Sequence, residues 1–239
     1  MTTLELFTPE NVERVLCIVA HPDDMEYGGS AAVAEWTAQG IEVSYLLLTA
    51  GEAGIRGMAP EIARPLRAAE QRASCDIVGV SRLTILDFPD GLLEPNLALR
   101  EAICREIRIV RPQIVVTMSW ELEAGRGLNH VDHRATGISV VDAVRDADNP
   151  WLFTDQLVSG ELTEWKAPWL CVTMHEPAHA IEVSEASLER GVASLEAHRH
   201  YLAALPDHPA PRDLITGILT GGGEAAGVPL ALPIHAYAM

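Results

Sequence analysis

Short apolar runs alternate with amphipathic stretches along the first 150 residues. Val15 to Ala20 is apolar throughout, as a strand buried on both faces requires. Ser30 to Gln39 reads as a helix closed by Gly40. Ile41 to Thr49, rich in Ile, Val and Leu, is a second strand. Glu61 to Val78 follows as a helix stopped at Gly79, and Leu83 to Phe88 as a third strand. Pro89-Asp90-Gly91 then forms a turn, with glycine where positive φ is wanted. Leu97 to Val110 sets Leu99, Ile103, Ile107 and Val110 on one helical face and ends before Pro112. Gln113 to Trp120 is a fourth strand, and Arg134 to Asp146 the next helix.

Strands that alternate with helices predict an α/β fold: a doubly wound, mostly parallel sheet with helices on both faces. Ligands of such sheets bind beyond the carboxyl ends of the strands. Three segments follow strands here, His21 to Asp24, Ala50 to Gly57 and Glu121 to His133, so they are expected to meet on one edge. After Pro150 the alternation weakens. Leu157 to Leu162, Pro168 to Met174 and Ala180 to Val183 read as strands, and Ala186 to Leu205 as one long helix. From Pro206 the chain is rich in Pro and Gly, with Gly221-Gly222-Gly223 in its middle. The expected organisation is a domain over 1–205 and an extended arm over 206–239 that offers itself as a subunit contact.

Composition narrows the function classes. A chain of 239 residues, 48% apolar and 21% charged, can bury a globular core. No apolar stretch reaches the roughly 20 residues of a membrane span. The first residues lack a basic segment followed by an apolar one, so a cytoplasmic protein is expected. The net charge is -17 and Lys166 is the one lysine, which argues against nucleic acid or anionic membranes as partners. Cys17, Cys75, Cys104 and Cys171 form no C-x-x-C pair and sit in apolar surroundings, as reduced core residues would.

The chemistry lies in two clusters, His21-Pro22-Asp23-Asp24 and His130-Val131-Asp132-His133. His21 and Asp24 can turn toward one point at a strand exit. Asp23, between them, cannot share that ligand geometry and would stand beside a metal rather than on it, where a base for an activated water belongs. His130 and His133 are three apart at a helix entry and can share a face. One of them would complete a His/Asp/His set with an open position, leaving the other to donate a hydrogen bond or a proton. Asp132 would orient a ring nitrogen. The plainer readings make Asp24 and Asp132 helix caps and the histidines solvated loop residues.

These residues resemble the LmbE-like, or PIG-L, zinc-dependent de-N-acetylases. The resemblance rests on Ala20-His21-Pro22-Asp23-Asp24, on His130-x-x-His133, and on Thr49-Ala50-Gly51-Glu52-Ala53-Gly54. Asp87 to Gly91 and the Arg67-x-x-Glu70 helix add to it, from about Val15 to Gly137. It implies a Rossmann-like fold and one zinc per chain held by His21, Asp24 and His133. It also implies Asp23 as general base, and His130 as oxyanion stabiliser or acid. Arg56 and, more weakly, Asp90 become substrate contacts. The substrate it implies is a small N-acyl amino sugar, and a homo-oligomer is expected. Fe2+ or Co2+ would fit the same ligands. Val131 stands where the family often has Pro, a change that leaves the chemistry intact.

Other signals carry less. Glu52 reads equally as a contact to substrate or metal water and as a loop-stabilising carboxylate. His175-Glu176-Pro177-Ala178-His179 matches the zinc-protease pattern H-E-x-x-H, but Pro177 opposes the helix that pattern needs, leaving His179 at most a pocket residue. Gly28-Gly29-Ser30 lacks a phosphate-loop fingerprint. His198, His200 and His208 read as surface residues. The alternatives to a de-N-acetylase are an amidase of the same family acting on a larger thiol conjugate or antibiotic-type amide, and a non-catalytic Rossmann-like binding module.

Overall fold

The structure is a computed structural model in which residues 3–125 and 127–239 are described. In chain order the strands and helices are β1 (Glu5–Leu6), β2 (Arg14–Val19), α1 (Gly29–Ala38), β3 (Glu42–Leu47), α2 (Pro60–Val78), β4 (Arg82–Ile85), α3 (Leu97–Val110) and β5 (Ile114–Met118). There follow β6 (Glu123–Ala124), β7 (Gly127–Leu128), α4 (Val131–Ala147), β8 (Trp169–Thr173), β9 (His179–Glu182), α5 (Glu185–Glu196), α6 (Arg199–Ala203), α7 (Pro211–Ala226) and β10 (Ala231–Ala238). No described helix is long and apolar enough to cross a membrane.

One eight-stranded sheet runs in the order β1-β9-β10-β8-β5-β2-β3-β4. The block β8-β5-β2-β3-β4 is parallel throughout, and β10 alone runs against both of its neighbours. This is the mostly parallel α/β sheet expected from the alternating pattern. After their first residues β2 and β3, and β5 throughout, are buried and mostly Val, Ile, Leu, Cys and Tyr, because helices cover both faces.

The second half differs from expectation in three places. Residues 157–162 form turns instead of a strand, since Gly160 takes φ 72° and its N–H closes a turn onto the Leu157 carbonyl. The single helix expected over Ala186 to Leu205 breaks at His198, the N-cap of α6, which has ψ 53° and whose Nε2 lies 4.0 Å from Glu26 Oε2. His198 is fully buried, where the sequence suggested a surface residue.

The third difference is the tail. Residues 206–239 are no arm: α7 packs on the sheet and β10 is inserted into it between β9 and β8. A Cβ at Gly222 would collide with the Ala231 carbonyl, and one at Gly223 would come within 2.6 Å of the Val228 carbonyl. Those glycines let the helix lie against its own returning strand, which removes the ground the tail gave for a subunit contact.

Candidate metal centre and its pocket

The two clusters meet at the carboxyl edge of the parallel block. β2 and β3 are in register from Arg14↔Glu42 to Val19↔Leu47, so His21 and Thr49 leave the sheet side by side. The chain then turns sharply through Asp23, which has φ 89° and ψ -21°. That is left-handed backbone for a residue with a Cβ, a conformation held only by strong surroundings. Two contacts from α2 hold it: the Asp23 N–H donates to Gln71 Oε1 at 2.9 Å, and Arg67 Nη2 donates to Asp23 Oδ1 at 2.6 Å. Arg67 also donates to the Pro22 carbonyl at 2.6 Å and the Gly51 carbonyl at 3.1 Å, joining the loops after β2 and β3. Gly51, at φ 63°, is needed twice: for its backbone, and because a Cβ there would collide with the Arg67 guanidinium.

Asp24 sits between two imidazoles. Its Oδ2 lies 3.4 Å from His21 Nδ1 and its Oδ1 lies 3.1 Å from His133 Nε2. The remaining nitrogens of both rings face away from it. His21 Nε2 is 3.1 Å from Asp132 Oδ2 and 3.1 Å from Asp90 Oδ1. His133 Nδ1 is 3.2 Å from Asn129 Oδ1, and the Asn129 amide donates in turn to the carbonyls of Ser119 and Glu121. His130 completes a triangle of rings, 5.3 Å from His21 and 5.4 Å from His133 between centroids. It is the N-cap of α4, and its Nδ1 accepts the Asp132 N–H at 3.2 Å. That contact places the ring proton on Nε2 and makes neutral His130 a donor.

Electrostatics follow from this packing. Burial acts to raise the Asp24 carboxyl, but His133 and His21 outweigh it and hold the group well below the usual carboxylate range. Burial pushes Asp23 up to about 8, with Arg67 pulling the other way. Burial acts to lower His21, and Asp24, Asp132 and Asp90 together reverse that and raise it. His130 is lowered, first by burial and then by His21.

The remaining candidate residues divide into those the structure brings to the cluster and those it does not. Asp132 does not cap its own helix. It is fully buried and accepts the N–H groups of Gly91 and Leu93 at 2.7 and 3.1 Å as well as facing His21. Asp90 does line the pocket, held by the Ala53 N–H at 2.7 Å. Glu52 works within the loops: its Oε1 accepts from Arg64 and from the Asp90 N–H. Arg56 is exposed and absent from the pocket lining. Between His175 and His179 the chain is non-helical, running from Met174 with φ 55° into β9, so the protease geometry is not formed, and neither histidine lines the pocket.

Two overlapping sets among the described residues lie close enough to share a cation, and Asp24, which touches two of their histidines, is in neither. One ring nitrogen each of His21, His130 and His133 lie within 4.8 Å of one another, and so do donor atoms of His21, Asp90 and Asp132. The cavity that His21, Asp23, Asp24, His130 and His133 help to line is about 970 Å³.

Residues 16–144, more than half of the chain, match the family PIG-L: GlcNAc-PI de-N-acetylase. The chain belongs to that family. As a PIG-L member it is 33% identical over 180 residues to diacetylchitobiose deacetylase of Thermococcus kodakarensis, a match over 73% of this chain and 65% of that protein. Just under two thirds of the Thermococcus protein is thus spanned. A second relative is 1D-myo-inositol 2-acetamido-2-deoxy-alpha-D-glucopyranoside deacetylase of Geodermatophilus obscurus, 29% identical over 251 residues, covering 93% of this chain and 82% of that one. Among solved structures, N,N'-diacetylchitobiose deacetylase from Pyrococcus horikoshii superposes with a TM-score of 0.84 over 96% of this chain and 85% of the other. At 20% identity that likeness speaks to the fold.

Within this PIG-L member, three residues that hold the site are not marked by their own local pattern: Gln71 and Asn129 belong to no motif, and Arg67 enters only through the resemblance. A buried polar position recurring on an otherwise amphipathic helix, as at Arg67, Glu70, Gln71 and Ser74, was the available signal. Four buried polar groups on the core face of one helix must face something polar.

Proposed function

We propose that the chain is a metal-dependent hydrolase that removes the N-acetyl group from an amino sugar or a sugar-containing small molecule. The observation that carries this reading is the placement of Asp24 between His21 Nδ1 and His133 Nε2, with Asp23 buried beside them. Metal-binding histidines generally direct the other ring nitrogen to a carboxylate or carbonyl oxygen. His21 does so toward Asp132, and His133 toward Asn129. The set His21, Asp24 and His133 therefore suits one divalent cation, zinc above all, with Fe2+ or Co2+ as substitutes. When bound, the cation supplies a Lewis acid and lowers the pKa of water.

The chain's own residues then divide the work. Asp23 accepts the proton of the attacking water, positioned by Arg67 and Gln71. Its carboxyl stays near the neutral range because burial opposes its ionised form. His130 donates from Nε2 to the developing oxyanion as a neutral imidazole, which costs no buried charge. Asp90, with Oδ1 3.1 Å from His21 Nε2, meets the substrate beside the metal ligands. The four buried, unpaired thiols fit a reducing compartment, so we place the protein in the cytoplasm. A structural metal site would not need a tethered carboxylate such as Asp23, which disfavours a binding module.

Acetate release from N-acetylglucosamine compounds by the metal-loaded protein tests the reading. Asp23→Asn should keep its metal and lose at least about 100-fold in turnover. Near-normal turnover in that variant would refute the role given to Asp23.

A further inference from the structure

Part of the pocket lining comes from the C-terminal segment, where Asp213 is the one charged side chain among Leu214, Gly217, Ile218, Leu232 and Pro233. α7 carries two apolar stripes. Ile215 and Leu219 are fully buried in the core, whereas Leu214 and Ile218, four residues apart, are half-buried and line the cavity. Leu232 from β10 and Met174 after β8 face the same space, and Met174 is 45% exposed. Ile218 and Leu232 lie against Gly28, where a Cβ would stand 3.3 and 3.4 Å from them. These side chains and His21, Asp24, His130 and His133 line one and the same cavity.

Gly217 lies within the second stripe. A Cβ there would meet nothing within 4 Å, as at Gly221 and unlike Gly222 and Gly223 in the same helix, and of the two open positions only Gly217 lines the cavity. Glycine inside a helix costs roughly 1 kcal/mol relative to alanine. Packing does not require that cost at Gly217, and the result is open space beside Leu214 and Ile218.

A bare sugar suits such a wall badly, because its hydroxyls would be desolvated without partners. We propose that this stripe binds an apolar group carried by the substrate, an alkyl or aryl unit joined to the amino sugar either as its aglycone or as an acyl chain longer than acetyl. Leu214, Ile218 and Leu232 are then specificity-determining residues. The proposal rests on the de-N-acylase reading above and narrows its substrate class.

Turnover and binding are measured together on methyl and octyl N-acetylglucosaminides and on N-hexanoylglucosamine. The metal-loaded wild type is compared with Gly217→Phe and Ile218→Ser. Each buried methylene contributes about 0.8 kcal/mol, close to fourfold. The octyl glycoside or the N-hexanoyl sugar should therefore exceed the methyl glycoside at least about tenfold in kcat/KM and affinity, and the one that does so identifies the group. Gly217→Phe fills the space while favouring the helix, so it should fold and abolish the advantage; Ile218→Ser should reduce it. The ratio is the readout, because a general folding defect lowers all substrates alike. Equal kcat/KM and equal affinity across the series would overturn the proposal. Chain-length-dependent binding with no hydrolysis of any compound would sustain it and instead refute the hydrolase reading.

Discussion

Replacing Arg67 with Met tests the joint between the two strand-end loops. The side chain is 2% exposed and makes three hydrogen bonds, to Asp23 Oδ1, the Pro22 carbonyl and the Gly51 carbonyl. Its guanidinium also stacks 3.9 Å from the Tyr201 ring centroid. Methionine fills much of the volume but removes the charge and every donor. Breaking one side of a buried ion pair costs about 3–5 kcal/mol, and an orphaned buried carbonyl about 1–3 kcal/mol more. Asp23 can limit the first cost by taking up a proton, since burial already opposes its ionisation. A net loss of about 3–5 kcal/mol is therefore expected. At about 2–4 °C per kcal/mol for a chain of this size, Tm falls by roughly 10 °C. Turnover should drop at least about 100-fold, because Asp23 loses both its position and its negative charge. Arg67→Lys keeps the charge without the fork and should fall between the two. Differential scanning calorimetry and acetate release read the two effects. A Tm within about 3 °C of wild type with near-normal turnover would refute the role assigned to Arg67.

Two further outcomes follow from the same geometry. Burial, reinforced by Arg67, lowers His198 to about 3 in the fold, against about 6.5 when unfolded. The unfolded chain then binds the extra proton between those values, so the His198 contribution is whole above pH 6.5 and is lost as pH falls toward 3. At pH 5 the loss is about 2 kcal/mol. Glu26, pushed up to about 7 by burial, works in the opposite sense, so the readout is the difference between His198→Phe and wild type in urea melts at pH 7.5 and pH 5. The variant should gain about 2 kcal/mol relative to wild type on acidification, and parallel behaviour would contradict the assignment. Asp132→Asn weakens the hold on His21 Nε2 and should cost about 10- to 100-fold in metal affinity by competition titration, and unchanged affinity would place His21 outside the ligand set.

The legible parts of this chain are those where one local property decides the outcome. β2, β3 and β5 read directly as apolar runs because burial on both faces admits few polar residues, of which only small Ser44 and Thr117 are buried. His21, Asp24, His130 and His133 were legible because each pair is close in sequence and follows a strand. β10 was not. Its Pro233 and preceding glycines argue for an edge or a loop, and a proline is normally kept out of central strands. The strand escapes that rule by dividing its pairing: Ala231 to Ile234 face β9, and His235 to Ala238 face β8. Arg67 and His198 were opaque for another reason. Each is buried by contacts with residues far away in sequence, which no local pattern carries.

The central claim is that His21, Asp24 and His133 together hold one divalent cation while His130 stays free. Elemental analysis of the purified protein, alongside His21→Ala, Asp24→Ala, His133→Ala and His130→Ala, tests it most directly. About one metal per chain in the wild type and in His130→Ala, lost in the other three, is the expected result. No metal in the wild type after incubation with zinc, or retention in Asp24→Ala with loss in His130→Ala, would contradict it.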